Sequence, residues 1–517
     1  MTSFNAIELS LFSSRISAIC DEMGAVLRRG SFSPNIKDRL DFSCAIFDAE
    51  GGLCAQAAHI PVHLGSMAFA MSGIVKEMSW RPGDMVIVND PFLGGTHLPD
   101  VTLIAPVFVE QQLCGFVVNR AHHATIGGIS PGSMPLSRTL HEEGIVVPPS
   151  YLYEQGRLNE SLWAKLLSAS SHQVLAEGDF SAQVSANLKG VDGFSALVKS
   201  MGTKQLFSAL DALNAYGARM AETALAALPD GAYAFTDFLD DDGMGNKNIP
   251  IHAVVTLHQG RAKVDFEGTA EQVEGNINCP ISVAAAAVFY VFRCLMPAHT
   301  PACAGTFSHI EVKAPAGSLL NARRPAAVVA GNVETSMRIV DVVLGALSRA
   351  LPGRVPAACH GSMNNVAMGV HSGASRWDYY ETIGGGLGAT AEQAGMSAVQ
   401  AHMTNTRNTP VESLELHYPL RVRTYQIRRG SSGQGLMPGG AGIVREYEFL
   451  EPTEVTLVSE RRRHAPWGAA GGGDARKGEN YLGGVSLPGK VRFTALPESR
   501  LRIETAGGGA WGRADAN

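Results

Sequence analysis

Residues 89–100 read NDPFLGGTHLPD and residues 119–128 read NRAHHATIGG. His97 and Asp100 are separated by two residues in a glycine-led loop. His122 and His123 follow after one further pair of apolar runs. Imidazole nitrogen and carboxylate oxygen are the donors that divalent transition metals take, three or four to a site. A curled loop would let His97 and Asp100 converge on one ion. Neighbouring residues of a strand point to opposite faces, so only one of His122 and His123 should join them. Asp41, at the start of another apolar run, offers a second carboxylate. Taken singly, Asp100 could cap a turn and His97 could be a hydrogen-bonded loop residue; the metal reading rests on their convergence.

The elements that must position these residues can be read from periodicity. Residues 5–29 carry apolar side chains at helical spacing, with Asn5 as a cap. Residues 41–47 read as a strand, followed by a turn at 48–52, and 64–78 as a helix with small residues on one side. Strands are expected at 84–90, 101–109 and 113–120. The last two, joined by a short polar turn centred on Gln111, should pair antiparallel so that facing residues sum to 222. Asp100 then lies opposite His122. Residues 158–227 look helical, 232–270 strand-rich, 280–297 and 333–351 helical, and the chain is strongly β from 416. The reading is a mixed α+β, multidomain protein: an N-terminal mixed α/β metal-binding region (1–200), a central α/β region (201–415) and a β-rich C-terminal region (416–517).

Other motifs are less specific. His59 and His63 flank Pro61, which disfavours a helix between them. An extended segment would put both on one face, lining the same cleft, while the alternative is two hydrogen-bonded histidines near a helix start. The glycine-rich stretches at 127–135, 380–389, 431–442, 468–473 and 505–512 could cradle phosphate or simply form tight turns. None has the P-loop or dinucleotide-site pattern. A Gly-x-Ser-x-Gly elbow is also missing, which weighs against Ser-His-Asp hydrolysis.

Composition bounds the rest. The 517 residues are 45% hydrophobic and 17% charged, enough for more than one core. A net charge of -6 gives no footprint for nucleic acid. The basic run RRRH at 461–464 reads as a solvated or partner-facing patch. The eight cysteines form no CxxC pair and several sit in apolar runs. They read as reduced, buried thiols of a cytoplasmic protein. The N-terminus does not read as a secretory signal. The apolar stretch 281–292 is too short for a membrane span and reads as a buried helix.

RLDFSCAIFDAEGGLCAQAAHIPVHLGSM (39–67), GDMVIVNDPFLGGTHLPDVTLIAPVF (83–108), NRAHHATIGGISPGSMP (119–135) and EEGIVVPP (142–149) resemble the hydantoinase B family. That family includes B subunits of ATP-dependent N-methylhydantoinase and 5-oxoprolinase, and related carboxylase and caprolactamase subunits. The resemblance extends to 176–190, 328–341, 416–435 and the closing TAGGGAWG. It implies a B subunit of an ATP-dependent cyclic-amide hydrolase, in a hetero-oligomer with a hydantoinase A-type subunit. The partner uses ATP and magnesium to phosphorylate the amide oxygen; this chain, lacking a nucleotide motif, opens the activated ring with metal-activated water. The implied ligands of one divalent ion (zinc, manganese or iron) are Asp41, His97, Asp100 and His122. His123, Glu143 or His59 would accept the proton. Arg39 would steady the phosphate, and His63 with the Gly127–Gly128 backbone would contact substrate. Thr125 departs from the Asp that the family often has there. The same resemblance leaves a carboxylase subunit, or a non-catalytic scaffold for the A subunit, as alternatives.

Overall fold

The computed structural model describes residues 4–58, 60–370 and 376–514. Among these the chain builds four sheets of seven, four, four and five strands. The seven-stranded sheet runs, edge to edge, Leu53–Ala58, Phe42–Phe47, Gln112–His122, Asp100–Val109, Met85–Val88, Ser150–Glu154 and Arg157–Leu158. Its inner strands are apolar on both faces because both are covered. Phe42, Cys44, Ile46, Val101, Leu103 and Val117 pack under the helices Ala6–Gly30 and Gln173–Met201. Ala45, Phe47, Ile104, Phe116 and Val118 pack under the helix His63–Glu77. That helix starts one residue before the expected position and is itself covered by Ile281–Leu295. Gly65 permits the approach, since a Cβ there would lie 2.6 Å from the Phe289 ring.

The first helix has the expected cap. Asn5 accepts from the Ile7 and Glu8 N–H groups, and Glu8 accepts in return from the Asn5 N–H. The central hairpin also forms, and Asp100 faces His122. The turn is tighter than expected. Val109 pairs with Gln112, leaving Glu110 and Gln111 as a two-residue loop with φ of +50° and +70°. A bulge between Val107 and Phe108 then adds one residue. The facing pairs therefore sum to 221 beside the turn and to 222 from Val107–Gly115 onward, which restores the expected register at the site.

The second sheet, Gly231–Asp241, Lys247–His258, Arg261–Asp265 and Ile310–Lys313, packs against the buried helices Ile281–Leu295 and Ser336–Ala350. The other two sheets hold the C-terminal strands. One of them joins Asn365–Val370 and Trp377–Glu381 to Thr453–Val458 and Lys490–Ala495. A division of the chain at 415 would pass through it.

One sequence reading is corrected, and one left open between two alternatives is decided. The RRRH run is solvated only in part: Arg463 is exposed, but Arg461 is fully buried and pairs with Asp237 at 2.9 Å and Asp341 at 2.6 Å. Arg462 donates to Asn364 at 2.7 Å and Asn480 at 2.9 Å. The late glycine-rich stretches take the turn alternative, because their N–H groups are spent on one another. Gly440 donates to Leu387, Gly508 to Gly440, and Gly433 to Gly508. The backbones run so close that a Cβ on Gly386 would lie 2.0 Å from the Gly440 carbonyl oxygen. All eight cysteines are free, and all but Cys294 are buried. Among the described residues no helix is long and apolar enough to cross a membrane.

Candidate metal centre

Three neighbouring strands end at one level of the seven-stranded sheet. The His122 N–H donates to the Asp41 carbonyl at 3.0 Å, and His122 faces Asp100 on its other side. Asp41, His122 and Asp100 thus stand side by side at one sheet end. Alternation places Asp100 and His122 on the face covered by the helix His63–Glu77. The loop before Asp100 is pinned by Asn89, whose amide donates to the Leu98 and Ile145 carbonyls at 3.0 Å each and accepts from the Val147 N–H at 2.7 Å. The loop then turns, with the Asp100 N–H on the His97 carbonyl at 3.1 Å.

The outcome is a carboxylate ringed by imidazoles. Asp100 Oδ1 lies 3.3 Å from His97 Nε2 and 3.3 Å from His122 Nδ1. Asp100 Oδ2 lies 3.4 Å from His63 Nε2, 3.3 Å from Asn332 Nδ2, and accepts from the Thr96 hydroxyl. The four side chains of His63, His97, Asp100 and His122 are all but fully buried. Burial alone would raise the Asp100 carboxyl, yet the His97 and His63 rings and the His122 bond hold it well below the usual carboxylate range. Burial pushes the His122 ring down, toward the neutral form. Burial also opposes charge on His97, but Asp100 outweighs it and raises that ring.

Donor chemistry fits a cation. His97 Nδ1 donates to the Val329 carbonyl at 3.0 Å, which leaves the ring's second nitrogen, Nε2, aimed at Asp100 and, at 3.2 Å, at His122 Nδ1. Two ring nitrogens and a carboxylate oxygen therefore crowd together, each 3.2–3.3 Å from the others. His122 Nε2 and Asn332 Oδ1 are buried without a hydrogen-bond partner. A cation among His97, Asp100 and His122, with Asp41 beside them, would relieve that crowding. His63 comes closer than expected of a substrate contact: its Nδ1 is held by Ser43 at 3.0 Å, and its Nε2 is in reach of Asp100.

The cluster opens on a narrow cavity, lined also by Asp41, Met363, Tyr380, Thr382, Thr404 and Thr406. Tyr380 stacks on His122, with centroids 5.0 Å apart and planes at 17°. Asn332 and Val333 arrive from a π-helical turn, Gly331–Thr335. Sequence reading missed Asn332, Tyr380 and these threonines as site residues. Only the π-turn segment lay within a stretch already matched to the family.

Other expected site residues fall elsewhere. His123 points away from the cavity, with Nε2 2.9 Å from Gln183 Oε1 and its ring stacked on Phe180. Glu143 accepts from the Val328 and Val329 N–H groups at 2.9 and 3.0 Å and from the Ser137 hydroxyl at 2.8 Å, behind the cavity wall. Arg39 is fully buried: it donates to the Tyr380 carbonyl at 2.8 Å and Thr382 Oγ1 at 3.2 Å and lies over the Tyr380 ring. It braces the wall. Gly127 and Gly128 form a turn against Ala169, Glu143 and Ser133 and do not line the cavity. Thr125 Oγ1 lies 3.2 Å from Ser133 Oγ. His59 lies outside the described residues.

Comparison with known proteins agrees with the fold and the motif order. The chain is 38% identical to 5-oxoprolinase 1 of Arabidopsis thaliana over 98% of its length, but spans only 42% of that relative. It is 37% identical to an uncharacterized protein of Methanocaldococcus jannaschii, covering 98% of this chain and 90% of that one. The crystal structure of the ATP-dependent caprolactamase from Pseudomonas jessenii superposes with a TM-score of 0.93 at 27% identity, covering 100% of this chain and 93% of the other. The Hydantoinase B/oxoprolinase profile matches residues 5–514. With the match running nearly end to end, the chain belongs to the hydantoinase B/oxoprolinase family.

Proposed function

We propose that this chain is the hydrolytic B component of an ATP-dependent cyclic-amide hydrolase. The observation that carries the reading is the buried Asp100 carboxylate ringed by His63, His97 and His122, in a chain whose relatives include proteins named 5-oxoprolinase. Amides hydrolyse slowly because resonance makes the carbonyl carbon a poor electrophile. A hydantoinase A-type partner would phosphorylate the amide oxygen with ATP and magnesium, which removes that resonance and creates a leaving group.

Asp41, His97, Asp100 and His122 would hold a divalent ion: zinc, manganese or iron. When bound, such an ion supplies Lewis acidity and lowers the pKa of water. The protein's own share is placement. Thr382, Thr404 and Thr406 offer hydroxyls to orient a small polar ring. Tyr380 and Met363 exclude water from the cavity wall. His63, with Ser43 fixing its orientation through Nδ1, would steady Asp100 through Nε2.

The test is reconstitution with a hydantoinase A-type subunit, offering hydantoin, 5-oxoproline and caprolactam with ATP. Ring-opened product with ADP release, roughly 100-fold lower or more for His97→Ala in an intact complex, is expected. A product that forms only with bicarbonate would instead make the chain a carboxylase subunit. An unchanged rate for His97→Ala would make it a scaffold.

A further inference from the structure

The helix Ser336–Ala350 links the centre just described to a second buried group. Asn332, four residues before the helix, reaches Asp100; Asp341 lies nine residues farther on, roughly 13 Å along a helical axis. There Asp341 meets Cys359 and His402. One donor atom from each, a carboxylate oxygen, a thiol sulfur and an imidazole nitrogen, lie within 4.8 Å of one another. Asp341 and Cys359 are buried and the His402 side chain is 10% exposed.

These groups are disposed as ligands rather than as hydrogen-bonded partners. His402 Nδ1 faces the Tyr290 hydroxyl at 3.4 Å, while Nε2 faces Asp341 Oδ1 at 3.7 Å, too far for a hydrogen bond. Both Nε2 and Oδ1 are buried without a hydrogen-bond partner. The other Asp341 oxygen is fixed by Arg461 at 2.6 Å, and Arg461 is fixed in turn by Asp237. Cys359 Sγ accepts the Gly361 N–H at 3.2 Å. His360 keeps both ring nitrogens buried and without a hydrogen-bond partner beside them. His402 is held at φ +50°, a conformation that a non-glycine residue keeps only where its surroundings impose it.

Around a tetrahedral zinc, sulfur, nitrogen and oxygen donors stand about 3.4–3.6 Å apart. The 3.7 Å between Nε2 and Oδ1 is close to that spacing. A thiolate in the set disfavours magnesium and calcium and selects a thiophilic ion. We propose that Asp341, Cys359 and His402 form a second metal site, for zinc or an ion of similar chemistry. As the ion binds, the Cys359 thiol gives its proton to solvent. The three ligands tie the helix Ser336–Ala350 to the segments carrying Met363 and Thr404. Both segments, with Asn332 before the helix, wall the first cavity. The Met403 carbonyl also accepts the Val62 N–H at 3.2 Å, next to His63. The second ion therefore clamps the wall of the first site.

The first cluster has no sulfur donor, so cobalt distinguishes the two. The reduced chain, stripped with chelator, is titrated with Co²⁺ and followed by near-ultraviolet absorption. A thiolate-to-cobalt charge-transfer band is expected in the unaltered chain, in Asp100→Ala and in Cys294→Ser, saturating at one equivalent in Asp100→Ala, where the first site is disabled. The band should vanish in Cys359→Ser, and His402→Gln should weaken cobalt binding roughly 10-fold or more. Elemental analysis of the stripped chain reloaded with zinc alone should give two zinc per chain, and one in Cys359→Ser. Absence of the band from the unaltered folded chain, which needs no variant, would overturn the proposal, as would its survival in Cys359→Ser.

Discussion

Glu143 and His97 do not touch, yet they grip the same residue's backbone from opposite sides. The Val329 N–H donates to Glu143 Oε1 at 3.0 Å, and the Val329 carbonyl accepts from His97 Nδ1 at 3.0 Å. The buried carboxyl therefore helps to fix the backbone that fixes the imidazole. It is a positioning residue, acting on the candidate ligand through Val329.

Its protonation follows from burial. Burial raises the Glu143 carboxyl to about 8, despite the two N–H bonds and the Ser137 hydroxyl that favour the charged form. The folded state thus holds this proton more tightly than the unfolded chain, whose glutamates titrate near about 4.3. The contribution is complete below the unfolded value and is lost as pH rises toward about 8. Glu143→Gln should remove that slope, at most about 1.4 kcal/mol per pH unit. Thermal melts of both proteins from about pH 5 to 9 read it. Parallel curves would reject the assignment.

The two adjacent histidines should behave oppositely. His122→Ala removes a ring that faces Asp100, so metal content measured after dialysis should fall to near zero at the first centre. His123→Ala opens a gap against Phe180 and Gln183 instead, so the centre should keep its metal while the chain loses about 1–3 kcal/mol of stability. Asn332→Ala should lie between, weakening metal binding about 10- to 100-fold. Elemental analysis and chemical denaturation of the three variants separate these outcomes.

How much of this was legible follows from sequence separation. Asp100 and His122 are joined by one hairpin, so alternation and a short turn were enough to set them opposite each other. Even there the turn and the bulge departed from expectation in ways that cancelled. His97 and Asp41 were readable because they lie next to strands of the same sheet. Asn332, Tyr380 and Thr404 were not, because periodicity tells which face of an element is buried but not which distant segment covers it. The contacts of Arg39 were hidden for the same reason: its partners Tyr380 and Thr382 are 341 and 343 residues away. The glycine-rich stretches were ambiguous until their carbonyl neighbours were known.

The C-terminal region contains an ion pair whose loss should be severe. Arg445 and Glu381 are both fully buried, 3.1 Å apart, and Glu381 also accepts from the Tyr447 hydroxyl and the Thr409 N–H. The Arg445 guanidinium lies over the Tyr425 ring at 4.3 Å. Arg445→Met would leave a buried carboxylate without its counter-charge, at a cost of about 3–5 kcal/mol. Adding Glu381→Gln should recover part of that loss, since the uncompensated charge goes with it. Urea denaturation of the single and double variants checks the sign. A double variant less stable than Arg445→Met would show that the charge was not the cause.

Glycine at Gly386 and Gly73 should respond to the same substitution in opposite ways. A Cβ on Gly386 meets the Gly440 carbonyl oxygen at 2.0 Å and the Gly508 nitrogen at 2.5 Å, both backbone atoms locked into the hydrogen-bonded layer. Neither can move without breaking bonds that the layer shares, such as Gly440 to Leu387. Gly386→Ala should therefore cost about 3 kcal/mol or more. Gly73 sits inside the helix His63–Glu77, and nothing lies within 4 Å of the place a methyl group would take there. Gly73→Ala should stabilise by about 0.5–1 kcal/mol, by restricting the unfolded chain and favouring the helix. Melting temperatures of the two variants test both. If Gly386→Ala melted like the unaltered chain, the layer would have slack that its backbone spacing denies.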